Sequence, residues 1–388
     1  MAGTGSASEC ILCGKCLSVC PLLAATGREE LAPRSKVRLA ALLERDPEAL
    51  NAVDATRLAS LCLSCGRCVQ ACSQGVNAPL AVSRLRAAHP GWREWLWKQW
   101  LERADKLWRT APKWARGLSH VPDALLPGQS GLLLKSLRGL DRAPLDAYVE
   151  ITAFPEAFRG GEALLFSGCA GRFAAPFWEE QARSLLAGLG LRRLDADFSC
   201  CGATLGSAGL LREQAVAQKR NVEIWRAAGR PLLVAYCASC LHGLHSYDLE
   251  LFADEAESEL WRGRLTPLAR LLNSARFVVS ENAPAVAAYH RPCHALDPDP
   301  DEALLRAMLE ERLHVLPDQC CGFGGALKLA APELCESVGQ RRRQGLASLL
   351  FENAPGMDVL TGCTACVFQL AGSAPQGLRP GHWLECLL

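Results

Sequence analysis

"FSCCGATLG", residues 198–206, sets Cys200 beside Cys201 with Gly202 behind them. "QCCGFGGAL", residues 319–327, repeats the arrangement with Cys320, Cys321 and Gly322. Two adjacent thiolates are poorly placed to chelate a single metal ion in an unstrained tetrahedron. They suit a polynuclear site, where neighbouring sulfurs bind different metals or bridge two. Glycine after the pair permits a tight turn and lets backbone amides face the metal.

Each pair has companions. Cys169 in "FSGCAGRF" precedes the first pair, and Cys237 and Cys240 in "AYCASCLHG" follow it. Cys293 in "YHRPCHAL" precedes the second pair, and Cys363 and Cys366 in "TGCTACVFQ" follow it. Equivalent cysteines lie 124 residues apart (169 to 293), 120 apart (200 to 320) and 126 apart (237 to 363), the signature of an internal duplication. "GEALLFSGC", "PLLVAYC" and "GMDVLTGC" read as buried strands, each delivering a cysteine at its C-terminal end. "FWEEQARSLLAGLG", "LREQAVAQKRNVEIWRAAG" and "ELCESVGQRRRQGLASLLFE" read as helices. The alternation predicts a small parallel sheet in each half, with its ligands gathered beyond the carboxyl ends of the strands. Five cysteines per half exceed the four of an ordinary cubane and point to an unusual cluster. Zinc, or no metal at all in one half, is the competing reading.

The N-terminal region carries a different cysteine grammar. "CILCGKCLSVCP" places Cys10, Cys13, Cys16 and Cys20 in a C-x2-C-x2-C-x3-C run, and "CLSCGRCVQACS" does the same with Cys62, Cys65, Cys68 and Cys72. This is the bacterial-type [4Fe–4S] ferredoxin pattern, in which the fourth cysteine of each run reaches the other cluster. The expected sets are therefore Cys10, Cys13, Cys16 and Cys72 for one cluster, and Cys62, Cys65, Cys68 and Cys20 for the other. Gly14 and Gly66 keep the backbone tight beside the metal. Zinc also binds C-x2-C pairs but does not explain the same order appearing twice. Between the runs, residues 32–50 read as an amphipathic helix with Val37, Leu39, Leu42 and Leu43 inward and Arg34, Lys36 and Arg38 near the clusters.

The 20 cysteines thus fall mostly into metal-type sets, leaving Cys335, expected in a helix core, and Cys386, expected to be incidental. Residues 91–117 carry six tryptophans. Trp92, Trp95, Leu96, Gln99, Trp100, Ala104, Leu107, Trp108 and Ala111 recur at helical spacing, a stripe that packs on the protein's own domains or docks a partner or a membrane interface. The organisation expected is a two-cluster ferredoxin domain (1–90), a tryptophan-rich helical linker (91–160) and two cysteine-rich domains (161–275 and 276–388). The fold class is α+β and α/β: a helical two-cluster ferredoxin domain followed by two duplicated small α/β parallel-sheet domains.

With 42 basic and 41 acidic residues, the net charge of +1 gives no electrostatic footprint for nucleic acid. The start of the chain lacks the pattern of a secretory signal, and no apolar run reaches the roughly 18 residues that a spanning helix needs. The expectation is a cytoplasmic protein, peripheral on the inner face of a membrane if it reaches one. His242 and His245 follow one cysteine pair, and His290 and His294 flank Cys293; these are read mainly as packing or hydrogen-bonding groups around metal. His382 is expected to cap a helix. "GFGG", residues 322–325, lacks the full dinucleotide-loop spacing, so any flavin or nicotinamide belongs on a partner.

A double ferredoxin run followed by two CCG halves resembles the iron–sulfur subunit of glycolate oxidase and the catalytic iron–sulfur subunits of heterodisulfide reductases. "PRSKVRLAALLE", "AQKRNVEIW" and the final "GHWLECLL" are similar to the glycolate oxidase type. The complete sets ending in Cys237/Cys240 and Cys363/Cys366 are similar to the heterodisulfide reductase type, which holds noncubane [4Fe–4S] clusters. The first resemblance implies electron transfer from a FAD-containing subunit that oxidises a 2-hydroxy acid, glycolate or lactate, toward a membrane quinone. The second implies reduction of a disulfide at the CCG halves. Either way the cofactors expected are two [4Fe–4S] clusters, with one or two further noncubane clusters or zinc in the CCG halves.

Overall fold

The computed structural model describes residues 9–46, 48, 51–122, 125, 128–352 and 356–388. Ten strands are present among them: β1 (Val149–Ala153), β2 (Glu162–Phe166), β3 (Arg192–Leu194), β4 (Leu232–Ala235), β5 (Leu265–Pro267), β6 (Arg276–Val279), β7 (Ala287–Tyr289), β8 (Leu313–Val315), β9 (Met357–Thr361) and β10 (Leu378–His382). One sheet has the order β3-β2-β4-β5 and a second has the order β8-β7-β9-β10. Every neighbouring pair in both is parallel. The duplication read from the cysteines is therefore a duplication of sheet topology, strand for strand. The inner strands are nearly continuous apolar runs because helices cover both faces of a parallel sheet; β9, "MDVLT", is buried throughout.

Antiparallel pairing of β1 with β6 ties the segment before the first sheet to the segment between the two. The last residues close the same knot. The Tyr148 amide donates to the Cys386 carbonyl (2.9 Å), and the Leu388 amide to the Val149 carbonyl (2.9 Å). The buried Glu385 carboxylate accepts from Trp178 Nε1 (2.7 Å), from the Leu145 amide (2.8 Å) and from Arg142 Nη1 (2.9 Å). A single apolar core runs through both halves, with Trp178 against Phe368 and His382. His382 caps as expected: its Nδ1 accepts from the Leu384 amide (3.2 Å), so Nε2–H donates to the Tyr236 carbonyl (3.2 Å). Cys335 is in a core, and so is Cys386, which is fully buried with its thiol on the Trp383 carbonyl (2.9 Å) rather than incidental.

The N-terminal region is helical. The inter-run helix spans Pro33–Arg45; Val37 and Leu43 are buried and Leu39 is partly so, but Leu42 is 47% exposed. Leu42 points outward because the inward stripe is completed by Lys36 and Ala40 instead. Residues 47, 49 and 50 of that reading lie outside the described residues. The tryptophan stretch forms two helices, Trp92–Glu102 and Ala104–Ser119, not one. The break at Arg103 resets the phase. Trp97 is buried, whereas Trp92 (68%), Trp95 (60%) and Leu96 (40%) are exposed. Ala104 and Ala111 of the expected stripe are buried, and Trp108 Nε1 donates to the Trp100 carbonyl (3.0 Å). No helix among the described residues is long and apolar enough to cross a membrane.

Candidate metal centres

In both ferredoxin runs the backbone turns left-handed at the same two places: Leu12 and Gly14 in the first, Ser64 and Gly66 in the second. The chain curls around a common point, and short helices beginning at Lys15 and Arg67 carry the third cysteine back toward it. The Ser64 amide donates to Cys62 Sγ and the Val76 amide to Cys72 Sγ, both at 3.4 Å. Cys20 is buried where it feels the charge of Cys62. Cys68 is raised by burial and then by Cys62, Cys65 and Cys20. Cys16 is raised by burial and, more weakly, by Cys10 and Cys13. Cys72 packs with Cys10 on Val37, Val76 and Ala78. The cysteines of the two runs are thus interleaved in one small region: Cys20 and Cys68 both feel Cys16, and Cys68 shares the packing of Cys10 and Cys72.

Two basic residues hold this domain from inside. Lys36 is buried and donates to the Leu58 carbonyl (3.2 Å); burial lowers its ammonium to about 8, against the pull of Cys62 and Cys20. Arg86 is 3% exposed and donates to the carbonyls of Ala59 (2.9 Å), Ser60 (3.0 Å), Cys62 (2.9 Å) and Ser207. It therefore clamps the start of the second run to the first cysteine-rich domain. Arg86 was not singled out by the sequence, because nothing in "SRLRAA" marks a partner 121 residues away. Arg34 pairs with Glu29 (2.6 Å), and Arg38 is exposed.

In the cysteine-rich halves every strand-end cysteine arrives where the sequence places it. The doubled cysteines sit on identical turns: Gly202 and Gly322 both have φ of 84°, and each donates its amide to the first sulfur of its pair (3.4 Å). A side chain at either glycine is strained by that backbone conformation. Around these turns the thiols lie as close neighbours in one series. It begins Cys293–Cys320–Cys321–Cys366–Cys363, crosses to the other half at Cys237, and continues Cys240–Cys201–Cys200–Cys169. Cys366 and Cys321 are 3.2 Å apart. The order in one half mirrors that in the other, with Cys363 and Cys237 at the centre. There the Ala238 amide donates to the Gly362 carbonyl (2.8 Å), and Ser239 Oγ lies 3.1 Å from Cys363 Sγ and 3.1 Å from His294 Nδ1.

Ten sulfurs in series are a donor set that calls for cations. Hydrogen bonds exchanged with neighbouring thiols raise Cys169 and Cys293 well above the ordinary thiol range, with burial adding to them. The same bonds hold Cys200, Cys237 and Cys320 well below it despite burial. In so dry a place the sulfurs become thiolates together only if metal ions supply the opposing charge. The residues fit iron–sulfur ligation in both domain types.

The ferredoxin domain docks at one end of this series. Cys65 is raised to about 12 by burial and then by Cys320, and Arg67 pairs with Asp318 at 2.6 Å. Leu63 packs with Cys20, Cys320, Leu327 and Cys335. A cavity of about 660 Å³ remains between the domains, bordered by Cys20, Arg67 and Cys320. At the other end, Cys169 and Cys200 border a cavity of about 1000 Å³, walled on its far side by the two connector helices and lined by Lys98, Arg109 and Arg212. His242 and His294 stack at the three-way junction (centroids 4.4 Å, planes 3° apart), close to Gly66 of the ferredoxin domain. Burial lowers both imidazoles, His242 to about 3. His245 is a buried-side neighbour, lowered by burial as well.

Fold and site define an iron–sulfur electron-transfer protein of the oxidoreductase class. Residues 6–76 match the 4Fe-4S dicluster domain family, and residues 163–245 and 287–371 both match the cysteine-rich CCG domain family. The chain thus joins one 4Fe-4S dicluster domain to a pair of cysteine-rich CCG domains. It is 25% identical to a component of the dihydromethanophenazine:CoB–CoM heterodisulfide reductase of Methanosarcina acetivorans, over 93% of this chain and 86% of that protein. It is 26% identical to lactate utilization protein A 1 of Bacillus mycoides, over 45% of this chain and 73% of that protein. It is also 23% identical to a component of the fumarate reductase (CoM/CoB) of Methanothermobacter marburgensis, over 94% of this chain and 67% of that protein.

Proposed function

We propose that this electron-transfer subunit serves a FAD-containing partner that oxidises a 2-hydroxy acid, glycolate or lactate, and passes the electrons toward a membrane quinone. The observation that carries the relay is the continuous thiol series with a ferredoxin domain docked at one end. Cys10, Cys13, Cys16 and Cys72 would hold one cubane, and Cys62, Cys65, Cys68 and Cys20 the other. Cys169, Cys200, Cys201, Cys237 and Cys240, and Cys293, Cys320, Cys321, Cys363 and Cys366, would hold one metal centre per half. Bound clusters supply one-electron steps; the chain's own residues set their spacing, exclude water and present amides to sulfur. The lactate utilization relatives and the C-terminal "GHWLECLL" support the choice of a 2-hydroxy acid. The test is anaerobic mixing of the purified chain with a flavin-linked glycolate or lactate dehydrogenase and its substrate. Bleaching of the cluster absorbance that requires all three components supports the reading; no bleaching with either acid sinks it.

A second reading, reduction of a disulfide at the cysteine-rich halves, is favoured by two observations. Both halves carry complete fivefold sets, and the 1000 Å³ cavity gives a small molecule access to Cys169 and Cys200. A new paramagnetic signal on adding a small disulfide to the oxidised protein supports this reading, and a silent spectrum counts against it.

A further inference from the structure

His290 follows β7 directly and is fully buried. Neither ring nitrogen has a hydrogen-bond partner among the described residues. A neutral imidazole carries one N–H donor and one bare nitrogen, and leaving both unmet in a dry interior is costly. The ring does have neighbours of another kind: a nitrogen of His290 and the sulfurs of Cys321 and Cys366 all lie within 4.8 Å of one another. That is the spacing of atoms around one metal ion.

The first half has no counterpart. By strand register, Tyr289 stands beside Leu360 on β9, and Phe166 beside Ala235 on β4. The 124-residue offset that relates Cys169 to Cys293 also relates Phe166 to His290. The same corner of the duplicated site is thus filled by a fully buried phenyl ring in one half and by an unpartnered imidazole in the other.

We propose that His290 is a nitrogen ligand to the metal of the second half, alongside Cys321 and Cys366, so that the second centre is mixed nitrogen–sulfur and the first is all-sulfur. The inference rests on the reading that the cysteine-rich halves hold metal. Imidazole and thiolate together suit iron and zinc alike.

The experiment uses the full chain purified anaerobically, as wild type, His290→Cys and His290→Ala. Iron and zinc analysis comes first and separates the two ideas. Metal confined to the ferredoxin clusters, about eight irons and no zinc, ends the metal reading of the halves and this proposal with it. With metal in the halves, pulsed EPR on protein grown with ¹⁵N-histidine tests iron, and X-ray absorption at the zinc edge tests zinc. Expected are a directly bonded nitrogen in the wild type and its loss in His290→Cys with the metal retained. His290→Ala should lose metal from the second half. An all-sulfur shell in the wild type, or a nitrogen signal unchanged in both variants, overturns the assignment. So does a nitrogen coupled only weakly, as expected for a hydrogen bond to cluster sulfur.

Discussion

The two cysteine-rich halves share strand order, turn geometry and thiol order, yet they are covered by different things. Over the second half lies the ferredoxin domain, with Arg67 on Asp318 and Cys65 beside Cys320. The first is touched by the ferredoxin domain at Arg86 and Ser207, but its Cys169–Cys200 end faces the pair of connector helices across a cavity of about 1000 Å³. Cys320 is buried, whereas Cys200, its equivalent, is partly exposed. The second half is also ringed by buried cations. Arg342 is 1% exposed and feels the charge of Cys321, Cys366 and Cys320; Lys328 reaches Gln369 at 3.2 Å. Near the place of Arg342 the first half has Asn221, whose amide bonds the Cys200 carbonyl (3.0 Å) and Tyr247 (2.9 Å). A duplicated fold has thus been given two jobs: one half faces inward to a resident electron carrier, and the other faces a space that something else can enter.

The strongest way to break that comparison is to cut each half separately. Cys321→Ser should remove the second centre and stop electrons reaching the first half from reduced ferredoxin clusters. Cys201→Ser should remove the first centre and leave the second reducible. Each is expected to cost about four irons if the centre is a four-iron cluster. Metal analysis with freeze-quench EPR reads both, and equal behaviour of the two variants would refute the serial arrangement.

Next in size is the clamp between ferredoxin and first half. Arg86→Leu leaves four buried carbonyls without their donor and is expected to destabilise the protein by about 2–4 kcal/mol in anaerobic denaturant titrations. A loss under about 0.5 kcal/mol would mean that the docking rests on the second-half contacts alone.

A pH effect of intermediate size follows from the histidine that joins the halves. Burial holds His382 at about 4, below its ordinary 6.5, so the unfolded chain binds a proton more readily than the folded one. Its contribution is fully present above pH 6.5 and is lost as pH falls toward 4, by up to roughly 3 kcal/mol. His382→Gln should flatten the stability-versus-pH curve across that window. The smallest effect is expected at the cavity. Arg212 is exposed, so Arg212→Gln should change stability by less than about 0.5 kcal/mol, and any larger change in electron exchange with an added small molecule would mark the cavity as its entry.

Much of this was legible in the sequence for local reasons. Cysteine spacing, apolar runs ending in cysteine and the glycine after each pair are short-range signals, and they placed the ligand loops and the parallel strands. What sequence could not show is how the pieces meet. Arg86 reaches carbonyls from two domains, His242 and His294 stack across a junction, and the ferredoxin domain contacts both halves, pairing Arg67 with Asp318 of the second; none leaves a periodic trace. The tryptophan stretch is two helices rather than one, and within the first Trp97 is buried while Trp92 and Trp95 are exposed, so apolar spacing alone did not tell which face would pack. Leu42 misled because the buried arc of its helix is made by Lys36, Val37, Ala40 and Leu43, and the helical turn carries Leu42 outside it.

The serial order of the sulfurs has a consequence for damage by oxygen. A chain of contacts conducts only while every link is intact, and its vulnerable link is the one that solvent reaches. Both terminal cysteines, Cys169 and Cys293, are partly exposed, but next to Cys169 the larger cavity also reaches Cys200, whereas next to Cys293 the pair Cys320 and Cys321 is buried. Air should therefore blind the protein from the outside inward: the Cys169–Cys200 end falls silent first, while the other end still fills with electrons that have nowhere to go.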